Sequence, residues 1–306
     1  MSSTSGSLVR SYSYDAAGHA QAYGSYTFGY NNRGRMMSTN AASTNYLYNA
    51  LGQMIEKSGT AGTTIFMPDE SGHLIGEYDG SGNLVEETIW LGDIPVATLQ
   101  FGTSALKTYY VHTDHLNTPR RITNRNTNII VWRWDSDPFG NGAAVQNPQG
   151  SVTVSYNLRF PGQYYMAETG LNQNDFRDYD PLTGRYVESD LIGLYGGSFS
   201  TYAYVNGSPI RHTDRFGLAR KPPSVSGSAA DAAYQNIADS ICDLLGPAYC
   251  IARMWVCVEA VCKYSNCSGT WYVTVTEWTP TWPTPEEVTK ETPECVCTKK
   301  GPRHDN

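Results

Sequence analysis

Aromatic and polar positions alternate along the first third of the chain, and each alternating run stops at an Asp or Asn followed three residues later by Gly. The pattern appears as Tyr12-Ser13-Tyr14-Asp15 with Gly18 and as Phe28-Gly29-Tyr30-Asn31 with Gly34. It returns as Tyr46-Leu47-Tyr48-Asn49 with Gly52, as Phe66-Met67-Pro68-Asp69 with Gly72, and as Tyr78-Asp79 with Gly82. The glycines are 16, 18, 20 and 10 residues apart. Alternation with period two marks strands that bury one face. Asp/Asn-x-x-Gly is turn chemistry, the Gly supplying a positive φ. The spacing therefore predicts one β-hairpin per unit, and hairpins too small to stand alone must associate side by side.

Composition agrees with a strand-rich chain. Among 306 residues there are 22 Tyr and 29 Gly, and only 17% are charged, which favours β-structure and turns over helix. The length suggests about two domains. A formal net charge of −7 gives no basis for expecting a nucleic-acid partner. The N-terminal Met1-Ser2-Ser3-Thr4-Ser5-Gly6 lacks both a basic start and an apolar run, so export is expected to use a route independent of a signal peptide.

Two further blocks carry more specific information. One is Tyr109-Tyr110-Val111-His112-Thr113-Asp114-His115-Leu116-Asn117-Thr118-Pro119-Arg120, followed by Trp132-Arg133-Trp134-Asp135-Ser136-Asp137-Pro138-Phe139-Gly140. His112, Asp114 and His115 have metal-ligand chemistry, but on a strand His112 and Asp114 share a face, His115 points away, and no further ligand is apparent. No metal or cofactor is expected. The other block begins at Phe176-Arg177-Asp178-Tyr179-Asp180-Pro181 and runs through Ser189-Asp190-Leu191-Ile192-Gly193-Leu194 to Thr213-Asp214-Arg215-Phe216-Gly217-Leu218. Asp178 and Asp180 read as turn and strand-end capping.

The repeats and both blocks resemble the YD-repeat core of Rhs (rearrangement hotspot) proteins, a family similar to insecticidal toxin C components and teneurin shells. The resemblance covers about residues 10–218. It implies a mainly β fold, with hairpins winding into a spiralling, shell-like sheet, followed by a variable C-terminal domain, whose own residues read as small, α+β and cysteine-rich. It also implies an intramolecular aspartyl protease at the end of the core. Carried over by motif, Asp190 and Asp214 are its two aspartates, Arg177 its arginine, and the bond between Leu218 and Ala219 its target. The chemistry suits the residue types: adjacent carboxylates share a proton, one acting as base and one as acid, while an arginine holds a carboxylate in place. Leu191 and Arg215 stand where the family usually has proline, which loosens both Asp-x-x-Gly-Leu turns. Family shells contain many more repeats, so this core is expected to supply part of a shell.

Composition changes abruptly after the second Asp-x-x-Gly-Leu. A Pro/Ser/Gly-rich stretch at 219–230 reads as a linker, dividing hairpins at 1–108 and a core domain at 109–218 from a variable domain at 231–306. All seven cysteines lie in that last part: Cys242, Cys250, Cys257, Cys262, Cys267, Cys295 and Cys297. Their irregular spacing favours disulfides over zinc. Ala229 to Cys262 has helical character, and Trp271 to Trp278 alternates like a strand. The run 244–262 is long enough to span a membrane, but Gly246-Pro247, Arg253 and Glu259 argue against insertion.

The expected protein is thus the C-terminal portion of a secreted or cell-surface polymorphic toxin used in bacterial competition, cytoplasmic before export. Its implied partners are an immunity protein for the C-terminal domain and upstream shell or secretion-system proteins. The alternative is a non-enzymatic YD-repeat module that contacts cell surfaces or carbohydrate.

Overall fold

A computed structural model describes residues 2–5, 8–101, 105–218, 276–279 and 286–289. The chain forms two compact units, Met1–Ser224 and Val225–Asn306. In the first unit, fourteen strands follow one another in chain order as a single antiparallel meander. The strands are β1 (Ser2–Ser5), β2 (Leu8–Tyr14), β3 (Ala20–Tyr23), β4 (Tyr26–Tyr30), β5 (Met36–Thr39), β6 (Thr44–Tyr48) and β7 (Met54–Gly59). They continue as β8 (Gly62–Pro68), β9 (Leu74–Asp79), β10 (Leu84–Leu91), β11 (Ile94–Phe101), β12 (Leu106–Thr113), β13 (Pro119–Asn124) and β14 (Ile130–Arg133). β1 and β14 are not paired with each other, so the sheet is open.

The Asp/Asn-x-x-Gly units build one recurring five-residue turn. In the first, Gly18 donates its N–H to the Asp15 carbonyl (3.1 Å), and Asp15 donates to the His19 carbonyl (3.0 Å). The Asp15 carboxylate then accepts the N–H groups of Ala17 (2.9 Å) and His19 (2.8 Å). The same backbone pair closes the turns at Asn31, Asn49, Asp69 and Asp79. Their fourth residues, Gly34, Gly52, Gly72 and Gly82, have φ between +72° and +82°, which costs glycine nothing. A break in strand register falls at the aromatic or proline just before four of these turns, at Tyr14, Tyr30, Tyr48 and Pro68, as expected where a bulge tightens the local twist. Asp114 and Asp137 open the same turn, with Asn117 (φ +64°) and Gly140 (φ +85°) at its fourth position.

One face of the sheet is buried by the chain that follows it. Here β15 (Tyr164–Met166), β16 (Leu171–Asn174), β17 (Arg177–Asp180) and β18 (Arg185–Tyr186) make a second antiparallel sheet. Tyr164, Met166, Leu171 and Val187 pack with Tyr23, Phe28, Tyr46 and Phe66 of the first hairpins. Trp132, Trp134, Tyr156, Phe160 and Tyr204 form a second aromatic core with Tyr179 and Tyr186. Alternation is the reason each strand contributes to only one face: Tyr46 is buried while Leu47 is exposed, and Phe66 is buried while Met67 is exposed.

In the second unit a hairpin of β19 (Thr276–Thr279) and β20 (Glu286–Thr289) is described. Ala219, the linker, the helical reading of 229–262, the run 244–262, and Cys242, Cys250, Cys257, Cys262, Cys267, Cys295 and Cys297 lie outside the described residues.

Candidate active site

Arg177 opens β17 and points into the interior, and both Asp-x-x-Gly-Leu units close around it. The Asp190 turn is held by Gly193 N–H on the Asp190 carbonyl (2.9 Å) and by Ile192 N–H on its carboxylate (3.0 Å). The Asp214 turn is held by Leu218 N–H on the Asp214 carboxylate (2.9 Å). Both turns therefore close without proline at 191 or 215. Each buries its carboxylate: the side chains of Arg177, Asp190 and Asp214 are 3%, 6% and 3% exposed.

A single guanidinium nitrogen joins the two acids. Arg177 Nη2 lies 3.0 Å from Asp190 Oδ2 and 3.3 Å from Asp214 Oδ2. Its other nitrogens bind backbone: Nη1 donates to the Thr201 carbonyl (2.8 Å) and Nε to the Gly217 carbonyl (2.5 Å). The guanidinium also sits 3.7 Å from the centre of the Tyr186 ring. Such a planar, many-donor cation is what the site needs; a lysine could not make these contacts together. The Tyr186 hydroxyl donates to Asp214 Oδ2 (2.9 Å) and accepts from Asn174 Nδ2 (2.8 Å), which also donates to the Asp214 carbonyl (2.9 Å). Burial pushes the Asp190 carboxyl up to about 7, against the opposing pull of Arg177.

Leu218 is buried at the same place. Gly196 marks how close the backbone comes: a methyl group there would stand 2.6 Å from the Leu218 carbonyl oxygen and 2.7 Å from Asp190 Oδ2. Both contacts are shorter than any real side chain tolerates. A cavity of about 10 Å³, near the lower limit for one water molecule, is lined by Arg177, Asp190, Asp214, Leu218, Ser198 and Asn206. Sequence reasoning named Arg177, Asp190, Asp214 and Leu218, and all four meet here. It missed Tyr186, although Tyr186 lies inside the same block, between Pro181 and Ser189. It also missed Asn174, Thr201 and Gly196, which carry no local signal.

Other singled-out residues stand elsewhere. Asp180 is a turn cap, accepting from Leu182 N–H (3.0 Å) and the Thr183 hydroxyl (2.7 Å). Asp178 differs from that reading: it is a buried strand residue whose N–H donates to Glu188 Oε2 (2.8 Å). Asp114 binds Arg120 (2.9 Å), His112 contacts the Thr123 hydroxyl (2.9 Å), and His115 contacts the Ile210 carbonyl (3.0 Å). Among the described residues, no group of three or more His, Cys, Asp or Glu is arranged to hold a metal ion, and no helix is long and apolar enough to cross a membrane.

The segment that carries the site is docked on the recurring turns. Tyr202 donates to the Gly18 carbonyl (2.8 Å), and the Arg35 guanidinium stacks 3.8 Å from the Phe176 ring centre. Arg215 donates to the Ser71 carbonyl (2.7 Å), and Tyr179 to the Phe139 carbonyl (2.7 Å). These turns lie at one rim of the meander, so the repeat that makes the sheet also builds the platform for the acids.

Residues 95–205 match the family model described as Teneurin YD-shell. The chain is similar to the double-stranded DNA deaminase toxin A of Burkholderia cenocepacia, 34% identical over 38% of this chain and 8% of that protein. It is similar to the toxin protein Tse5 of Pseudomonas aeruginosa (35% identical, 40% of this chain, 9% of that protein). It is also similar to the putative uncharacterized protein YibJ of Escherichia coli (36% identical, 38% of this chain, 47% of that protein). The chain thus spans less than half the length of these relatives. The crystal structure of TcdB2-TccC3 shares the fold over 67% of this chain and 11% of that one, with a TM-score of 0.53 and 18% identity. The Tc holotoxin pore of Photorhabdus luminescens does so over 71% and 11%, with a TM-score of 0.51 and 18% identity.

Proposed function

We propose that this chain, whose residues 95–205 match the teneurin YD-shell model, carries a YD-repeat core of the Rhs type and is the C-terminal portion of a polymorphic toxin whose core cuts itself between Leu218 and Ala219. The observation that carries the reading is the Arg177 bridge between Asp190 and Asp214, with the Leu218 N–H on one acid and Gly196 packed against both the Leu218 carbonyl and the other acid. Toxin-like relatives and a shared shell fold support the setting.

The two acids divide the work. Asp214 accepts on both oxygens, from Leu218, Tyr186 and Arg177, and this acceptor role suits it to act as the base. Asp190, with its carboxyl raised to about 7, holds the proton. Asp214 takes a proton from water as the water oxygen bonds to the Leu218 carbonyl carbon, and Asp190 gives its proton to the carbonyl oxygen. The intermediate then collapses. Asp214 passes its proton to the Ala219 nitrogen as the C–N bond breaks, and the hydroxyl returns a proton to Asp190. Products are a Leu218 carboxyl and an Ala219 amine, and both acids are restored. Arg177 holds the pair at fixed separation.

Residues 219–306 are the released part in this reading, a linker and an effector domain at 231–306 paired with an immunity protein. Substituting either acid tests the assignment. Asp190→Asn and Asp214→Asn should each leave the chain whole by intact-mass measurement, a rate loss of at least about a hundredfold, with circular dichroism unchanged. Normal cleavage in either folded variant would overturn this division of roles.

A further inference from the structure

Arg215 sits next to the acid that holds Leu218, yet its side chain turns away from the site toward the sheet. Its Nη1 meets Asp93 Oδ1 at 2.5 Å, and its Nη2 donates to the Ser71 carbonyl at 2.7 Å. Asp93 belongs to the two-residue loop between β10 and β11, where Leu91 pairs with Ile94. Ser71 belongs to the Asp69 turn between β8 and β9. The two turns are tied to each other as well. His73 places Nδ1 2.9 Å from Asp69 Oδ2 and Nε2 3.0 Å from Asp93 Oδ1, and its ring lies 4.6 Å from that of Trp90. Arg215 thus grips two neighbouring hairpins that are themselves joined.

The backbone at Arg215 is fixed from the opposite side. A methyl group at Gly162 would fall 1.8 Å from the Arg215 carbonyl oxygen, so position 162 admits no side chain while the loop holds this course. Phe176 N–H bonds to the Phe216 carbonyl at 3.0 Å. An isolated exposed ion pair contributes little, but the Arg215 side chain is only 19% exposed and spans two acceptors on two turns.

We propose that Arg215 is a positioning residue: it clamps the Asp214–Leu218 loop to the sheet rim through Asp93 and Ser71, so that self-cleavage proceeds only after the hairpin turns at 69–73 and 91–94 have formed. This rests on the autoprotease reading above. It makes an acid remote from the chemistry, Asp93, a determinant of the cleavage rate, and makes completion of the sheet the licence for release.

The test follows the full chain during cell-free synthesis, measuring cleavage against time for the parent, Arg215→Ala, Asp93→Asn and the double variant. Amide exchange of the Leu218 N–H is read in the same samples. Each single change should slow cleavage about ten- to a hundredfold, the scale of a reacting group displaced by about 1 Å. The double variant should be no slower than the slower single, because one contact is lost only once. Arg215→Lys should recover part of the rate. Parent-like cleavage in both single variants, or fully additive losses, would overturn the clamp. A parent that stays whole refutes the autoprotease reading instead. The clamp is then judged by exchange at Leu218: faster in both single variants sustains it, unchanged exchange overturns it.

Discussion

Arg177 is the residue on which the site turns, because one nitrogen serves two buried acids that would otherwise face each other unscreened. Arg177→Ala should slow cleavage and destabilise the core by about 3–5 kcal/mol, since it strands buried carboxylates; chemical denaturation measures the second effect. Gly196 offers a finer probe. Gly196→Ala should suppress cleavage by at least about tenfold while leaving the distant aromatic cores intact, since its methyl would meet the Leu218 carbonyl and Asp190. The pH profile tests the acid directly. Asp190, raised to about 7 by burial, must be protonated to act, so the rate should fall as pH rises through about 7. A rate that keeps climbing to about pH 9 would assign the acid elsewhere.

Hairpins and turns were the most legible level of the sequence. The five Asp/Asn-x-x-Gly units each form the expected turn because the interaction is local: a carboxylate or amide two to four residues from the N–H groups it binds. Asp114 and Asp137 hid the same turn inside blocks read only as family signature, since Asn117 can replace glycine in the left-handed region. What the sequence hid was long-range. Asp178 looked like a cap and is instead buried against Glu188, a partner fixed by β17–β18 packing. A second buried pair, Glu77 of β9 and Glu86 of β10, face each other within the sheet, Glu77 bound by the Tyr164 hydroxyl (2.8 Å) and Glu86 by the Thr98 hydroxyl (3.1 Å). Burial pushes Glu77 and Asp178 up to about 7, and Glu86 and Glu188 well above the usual range. These groups bind more protons folded than unfolded, so their contribution is full below about pH 4 and is lost as pH rises through about 7. The core should therefore melt at a higher temperature at about pH 5 than at about pH 8, and Glu77→Gln should flatten the difference. Exposed turn acids act in the opposite sense, Asp79 being held low by its bonds to Asn83, but only at more acid pH. Equal melting at both values would contradict neutral buried carboxyls.

At the scale of the whole molecule, the recurring turns serve twice. Most of them reverse the chain between strands, and those that follow β2, β8 and β14 also line the rim on which the segment bearing Arg177, Asp190 and Asp214 is docked. No single-sequence pattern announces that second use, because it joins residues such as Arg215 and Asp93 that are 122 positions apart. Beyond Leu218, fewer than ninety residues with seven cysteines are expected to rely on cross-links for stability. Reductant should lower the melting temperature of residues 219–306 and chelator should not; the reverse result would indicate a thiolate metal site. The central claim is most directly tested by the intact mass of the freshly purified full chain. The account predicts two species whose masses meet at Leu218–Ala219, and a single species at the mass of all 306 residues would contradict it.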